Sequence, residues 1–326
     1  MRVDFYGSRG SIPSPMTLSE YRSKIIRILH LYKDATNKNP ESFLGDLPSE
    51  LSCTCGGNSS CVVLSDDSED IIVLDAGSGL REFGKKISDK NNLTIHILFS
   101  HFHWDHICGI PFFKPIYNPS NTVVFYSTNE KMIDNLVRQQ HSEHFPLPFD
   151  KLPAKKKFVF LNKENPFSVG KFKIFHMPLN HPGGSTGYVV DNEGKKLSYV
   201  TDAEFTPENL EEKKMFYKAC FEGSDILILD SQYSLCESFN KFDWGHTSYT
   251  MAVNLALDWR VKRLVLFHSD PEHNDSELFK ILEENIVGPA IVNQTLTVEK
   301  LVDIANIITN RRKSRSGHSL ELHLAG

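Results

Sequence analysis

The chain has 326 residues, 40% of them hydrophobic and 24% charged, with 36 Lys and Arg against 41 Asp and Glu for a formal net charge of -5 at pH 7. These proportions suit a globular protein with a buried core and exclude a disordered chain; the acidic balance argues against a general polyanion binder whose affinity comes from phosphate neutralisation. The 14 histidines are the departure from average composition.

The amino terminus, RVDFYGSRGSIP, reads as a strand running into a Gly/Pro turn, without the basic and then apolar regions of a signal peptide. From about Ser14 to Ser52 the pattern changes. Leu18, Tyr21, Ile25, Leu29 and Tyr32 recur at helical spacing over 18–33, with Thr17 and Glu20 set as a capping box, and the polar stretch KDATNKNPESFLGDLPSE follows. The expectation is one domain over 1–326 carrying a helical insertion at 14–52, which acts as a lid or an interface or is a surface decoration.

Period-two apolar segments then recur: CVVLS from Cys61, IIVLDAG from Ile71, LTIHILFSH from Leu93, TVVFYS from Thr122 and KFKIFHM from Lys171, followed by GYVVD, KLSYVTD, DILILDS and RLVLFHSD. Clear helices are predicted only at 18–33, 247–259 and 298–310, so the class is α/β with strand-rich halves. In the irregular segment 138–152, His141 and His144 belong either to the entrance of a site or to a dimer contact. Lys155, Lys156 and Lys157 read as a solvated strand start or as cations attracting an anionic substrate, and RRKSR at 311–315 as the solvated end of the last helix. No apolar run reaches the ~18 residues that suggest a membrane span. Six cysteines at irregular spacings (53, 55, 61, 108, 220, 236) imply free thiols and a cytoplasmic protein, and Cys53, Cys55 and Cys61 lack a zinc-ribbon spacing.

Five apolar strands end in a residue that can bind a metal or move a proton: Asp75, His101, Asp202, Asp230 and His268. Strand ends in α/β folds converge on one edge, where distant positions meet in one site. The densest piece is His101-Phe-His103-Trp-Asp105-His106. Strand alternation puts His101 and His103 on one face, while Asp105 and His106 begin the next turn and point to a neighbouring position. Two adjacent sites for divalent ions follow, with nitrogen and oxygen ligands that suit zinc, or manganese or iron.

H-x-H-x-D-H after an apolar strand resembles the signature of the metallo-β-lactamase superfamily, and the downstream order agrees: His181 in LNHPGGSTGY, Asp202 in YVTDAE and His268 in LVLFHSDPEH. The resemblance implies that His101, His103 and His181 hold one metal and Asp105, His106 and His268 the other, with Asp202 bridging. FYGSRGSIPSP and CGGNSSC look like the phosphodiesterase and ribonuclease Z-like branch of that superfamily. DWGHTS at 243–248 is similar to its His-Ser-Thr motif, with Thr and then Ser, and LILDSQY at 227–233 falls where it carries Glu-Ala-Thr, with Asp230 replacing the glutamate. The implied fold is a four-layer αββα sandwich with the metals at one edge.

A phosphodiester repels nucleophiles and has a poor leaving group; two metals ~3.5 to 4 Å apart supply hydroxide at neutral pH and neutralise phosphoryl charge. Asp105 would orient that hydroxide. His246, with a pKa near neutrality, would donate to the leaving oxygen or to the phosphate, unless it only packs before helix 247–259. Asp230 either orients His246 or caps a turn. Asp75 would fix a ligand imidazole. Asn58 and Ser59 contact phosphate or stabilise the GGNSS turn. The expected function is therefore a dinuclear metal-dependent phosphodiesterase acting on a small phosphodiester, a cyclic nucleotide foremost, by attack of a metal-bridging hydroxide. The alternatives are a ribonuclease Z-like tRNA 3′ endonuclease and a non-hydrolytic di-metal redox or sensor protein. The near-balanced charges of the insertion (Glu20, Asp34, Glu41, Asp46 and Glu50 against its basic residues) argue against nucleic-acid binding. No membrane partner is expected, and the two candidate contact segments leave room for a homodimer.

Overall fold

The computed structural model describes residues 1–68, 70–162, 165–241, 243–285, 291–292 and 321–324. The predicted helix over 298–310 and the RRKSR stretch lie outside them. One sheet takes its strands in chain order: β1 (Arg2–Gly7), β2 (Cys61–Ser65), β3 (Ile71–Leu74), β4 (Thr94–Leu98), β5 (Thr122–Ser127) and β6 (Lys155–Phe160). β1, β2 and β3 pair antiparallel, and β3 to β6 run parallel. The second sheet contains β7 (Phe167–Val169), β8 (Phe172–Leu179), β9 (Ser185–Asn192), β10 (Lys195–Val200), β11 (Ile226–Asp230), β12 (Arg263–Phe267), β13 (Ile291–Val292) and β14 (Glu321–Leu324). Its order is β7-β8-β9-β10-β11-β12-β14-β13, antiparallel up to β10 and parallel beyond.

Side-chain alternation explains why these strands read as unbroken apolar runs. Val62, Leu64, Ile72 and Leu74 of the first sheet share one core with Ile226, Ile228, Val265 and Phe267 of the second. Their neighbours Cys61, Val63 and Val73 face outward onto Leu80 and Phe83 of helix Gly79–Lys86 and Met132 and Leu136 of helix Met132–Gln139. Leu227, Leu229, Leu264 and Leu266 face the other way, onto helices Pro207–Phe221, Tyr249–Asp258 and Asp275–Asn285. Each central strand is thus covered on both faces, and the layers are helix, sheet, sheet, helix, as the resemblance implied.

Residues 14–52, expected to be an insertion, form α1 (Leu18–Asp34), α2 (Pro40–Gly45) and α3 (Ser49–Ser52). Thr17 and Glu20 make the expected capping box, yet α1 buries no residue completely. It is fastened by polar contacts instead: Lys24 Nζ to Asp275 Oδ2 at 2.7 Å and to the Cys53 carbonyl, and Arg27 to Glu50. No helix among the described residues is long and apolar enough to cross a membrane.

Candidate metal centre

Parallel β3 and β4 of one sheet and β10 to β12 of the other end on a common edge, which the bridges Arg9 to Ser59 and Arg9 to Ser269 close. Asp75, Asp202 and His268 follow their strands with φ of 59°, 49° and 64°. L-residues rarely adopt this left-handed conformation, and it survives where surrounding contacts over-determine it. Gly10 is required here, because a Cβ at that position would lie 2.6 Å from His268 Nδ1.

Two clusters result. His101, His103, His181 and Asp202 form one, and Asp105, His106 and His268 the other, the potential ligand atoms of each lying within 4.8 Å of one another. Asp202 faces both. Its Oδ2 is 3.6 Å from His101 Nε2 and 3.7 Å from His181 Nε2, while Oδ1 is 3.1 Å from His106 Nε2 and 3.3 Å from His268 Nε2. Asp105 Oδ2 lies 3.1 Å from His106 Nε2 and 3.0 Å from His268 Nε2.

These residues fit divalent cations. His101 Nε2 is buried without a hydrogen-bond partner, and such a group is costly unless something else satisfies it. Paired imidazole nitrogens confront each other at 3.2 Å, His103 Nδ1 with His181 Nε2 and His106 Nε2 with His268 Nε2. Burial, and the neighbouring imidazoles in each case, hold His101 well below its ordinary pKa and lower those of His103 and His181, keeping them neutral as ligands must be. Around His106 the balance reverses: burial opposes charge, but Asp105, Asp202 and Asp75 drive its pKa well above the ordinary value. Three carboxylates there call for a positive charge, and the nitrogen and oxygen donor set suits zinc or a similar ion.

Supporting contacts orient the imidazoles. Asp75 is fully buried and accepts from Ser100 N and Oγ, from Tyr199 OH at 2.8 Å and from His106 Nδ1 at 2.8 Å. His181 Nδ1 donates to the Gly245 carbonyl at 2.9 Å. Gly245 has φ 86°, and a Cβ there would collide with that same His181 ring. The 243–245 turn is held in place by Glu204 Oε1, which accepts from Asp243 N at 3.2 Å. Next in sequence, His246 Nδ1 meets Asp230 Oδ2 at 2.7 Å; Asp230 is fully buried and also accepts from the amides of Thr247, Gln232 and Ala203. Burial opposes the charged His246, but Asp230 outweighs it and raises the pKa to about 9. This corrects the expectation of a value near neutrality. His246 also lies with Asp202 and His268 in a third grouping of possible ligands.

A cleft of about 340 Å³ opens over the centre, lined by His103, Asp105, Asp202, His246 and His268 together with Ser11, Phe102 and Trp104. Trp104 is 83% exposed. Asn58 and Ser59 line no part of it: Asn58 Oδ1 accepts from Ser78 Oγ and Ser59 Oγ accepts from Ser78 N, so both hold the turn before helix Gly79–Lys86. His141, His144 and residues 14–52 are absent from the lining as well, and no cysteine belongs to a metal grouping among the described residues. Ser11, Trp104, Tyr199, Glu204 and Gly245 went unrecognised in the sequence. All five lie in segments already singled out, Ser11 in FYGSRGSIPSP, Trp104 in the His-rich motif, Tyr199 and Glu204 in YVTDAE and Gly245 in DWGHTS, but none was assigned a role there.

The family model described as Beta-lactamase superfamily domain matches residues 71–269. A second, described as EcoRII C terminal, matches 279–326, mostly outside the described residues. The chain is 21% identical over 262 residues to the Ribonuclease Z of Treponema denticola, covering 66% of this chain and 82% of that protein. Among solved structures, the metallo-beta-lactamase fold protein YhfI from Bacillus subtilis superposes with a TM-score of 0.59 at 16% identity, over 91% of this chain and 97% of that one. The short form of human tRNase Z gives a TM-score of 0.55 at 20% identity, over 83% and 93% respectively.

Proposed function

The chain belongs to the metallo-β-lactamase superfamily, and from that premise we propose that it is a dinuclear metal-dependent phosphodiesterase acting on a small phosphodiester, with cyclic nucleotides the foremost class. His101, His103 and His181 would hold one divalent ion and Asp105, His106 and His268 the other, with Asp202 between them. Such a pair of ions activates water at neutral pH and neutralises charge on the phosphoryl oxygens.

The observation that carries this reading is the 2.7 Å contact between His246 Nδ1 and Asp230 Oδ2 beside both clusters. With Nδ1 engaged, Nε2 is left for the cleft, and the buried carboxylate favours the protonated ring. His246 then donates a proton to the leaving oxygen, a role typically worth ~10² to 10⁴ in rate. Asp105, which accepts from the Ser11 amide at 2.9 Å, is positioned to orient the attacking water. A redox or ligand-sensing role would not require such an acid beside the ligands.

The likeness to a ribonuclease Z supports a tRNA 3′ endonuclease as the second reading. Against it stands the cleft wall, which includes no Lys or Arg among the described residues, whereas affinity for a polynucleotide rests on phosphate neutralisation. Zinc- or manganese-loaded protein assayed against 2′,3′- and 3′,5′-cyclic nucleotides, an aryl phosphodiester and precursor tRNA separates the readings. Turnover of a small diester is expected. Cleavage of precursor tRNA alone would install the endonuclease, and no turnover of any diester would remove both.

A further inference from the structure

Ser11 shares the backbone anomaly of the site, and its hydroxyl has no part in the chemistry assigned so far. Its φ is 64°, in the left-handed region that Asp75, Asp202 and His268 also occupy at this edge. Strained non-glycine backbone of this kind gathers at functional sites, where the surroundings hold it. The amide and the hydroxyl of Ser11 are both engaged there. The amide donates to Asp105 Oδ2 at 2.9 Å, and the hydroxyl oxygen accepts from Gln232 Nε2 at 3.1 Å. Gln232, only 2% exposed, reaches up from the turn after β11. Ser11 itself is exposed and lines the cleft beside Trp104 and His246.

A hydroxyl that already accepts one hydrogen bond has its own proton left to give. On Ser11 the open side is the cleft, where a phosphodiester would present two anionic non-bridging oxygens. A glycine would fit the left-handed backbone without strain but would offer no such donor. We propose that Ser11 is a substrate-contact residue, its hydroxyl donating to a non-bridging phosphoryl oxygen while its amide fixes the Asp105 carboxylate. This rests on the phosphodiesterase reading above, and it specifies the part of the substrate that the amino-terminal Gly/Pro turn recognises: the phosphoryl group itself.

The test uses zinc-loaded wild type, Ser11→Ala and Ser11→Gly, with inorganic phosphate as the probe in isothermal titration calorimetry and metal content measured in parallel. Both variants keep the backbone amide, so zinc content is expected to be unchanged. Phosphate is expected to bind both about tenfold more weakly, the effect of one hydrogen bond to a charged acceptor. Wild-type affinity in both variants overturns the proposal, as does recovery in Ser11→Gly, which would assign the effect to backbone strain, or failure of the wild type to bind phosphate. If Ser11→Ala loses metal or folds poorly, Ser11→Gly, which suits the observed φ, decides alone. Ser11-dependent phosphate binding without turnover of any diester would refute the phosphodiesterase reading and leave the phosphate contact standing.

Discussion

Just past β3, the buried Asp75 carboxylate accepts hydrogen bonds from residues far apart in the chain. They are Tyr199, which lies 124 positions away, Ser100 and His106. A carboxylate that fixes a ligand imidazole typically contributes 10- to 100-fold in metal affinity. Asp75→Asn is therefore expected to weaken zinc by that factor in a chelator competition; unchanged affinity would refute the role. The His-Thr-Ser motif pointed to His246, but its elevated pKa of about 9 arises from Asp230, which the fold places at 2.7 Å. His246→Ala and Asp230→Asn are each expected to lower kcat by ~10² or more with metal content retained, and the double variant to be little worse than His246→Ala. Additive losses would show that the two do not act as a unit. Ser11 and Glu204 were illegible because serine and glutamate in turns are ordinary, and only their contacts across the edge mark them.

At the scale of elements, strand alternation was readable because burial on both faces leaves unbroken Val, Ile and Leu runs. Helix Pro207–Phe221 escaped notice. Its apolar residues Leu210, Met215, Phe216, Tyr217 and Phe221 make no single stripe, and Met215 is 80% exposed. Its Thr206 cap pairs with Asn209 rather than Glu or Gln. Helix α1 was legible from its capping box, but its docking was not, because it depends on Lys24 with Asp275 and Arg27 with Glu50. Hydrogen bonding to Arg27 outweighs desolvation and lowers the Glu50 pKa. A depressed carboxylate contributes stability fully above its unfolded pKa of about 4.3, and that contribution is lost as pH falls through the lower folded value. Glu50→Gln is thus expected to be less stable than wild type at neutral pH by no more than ~1 kcal/mol, with the gap closing in acid. Denaturant midpoints compared across that range check it; a gap that widens on acidification would contradict the pairing.

For the whole molecule, the centre is a seam. His101, His103, Asp105 and His106 follow β4 of one sheet, while His181, Asp202 and His268 follow β8, β10 and β12 of the other. Ions held there bind the folded chain and not the unfolded one, so chelation is expected to lower Tm by several degrees in proportion to the binding free energy lost. A Tm indifferent to chelator would mean that the seam closes without metal. Two divalent ions would also offset four of the formal net charges of -5, concentrating positive potential at the cleft where an anionic diester must enter. On the proposed function, two ions and the residues around them hydrolyse a phosphodiester. Zinc added stepwise to metal-free protein, while hydrolysis of an aryl phosphodiester is followed, tests this. The rate is expected to climb until two equivalents per chain and then level; no hydrolysis at any zinc ratio, or a plateau at one equivalent, would contradict it.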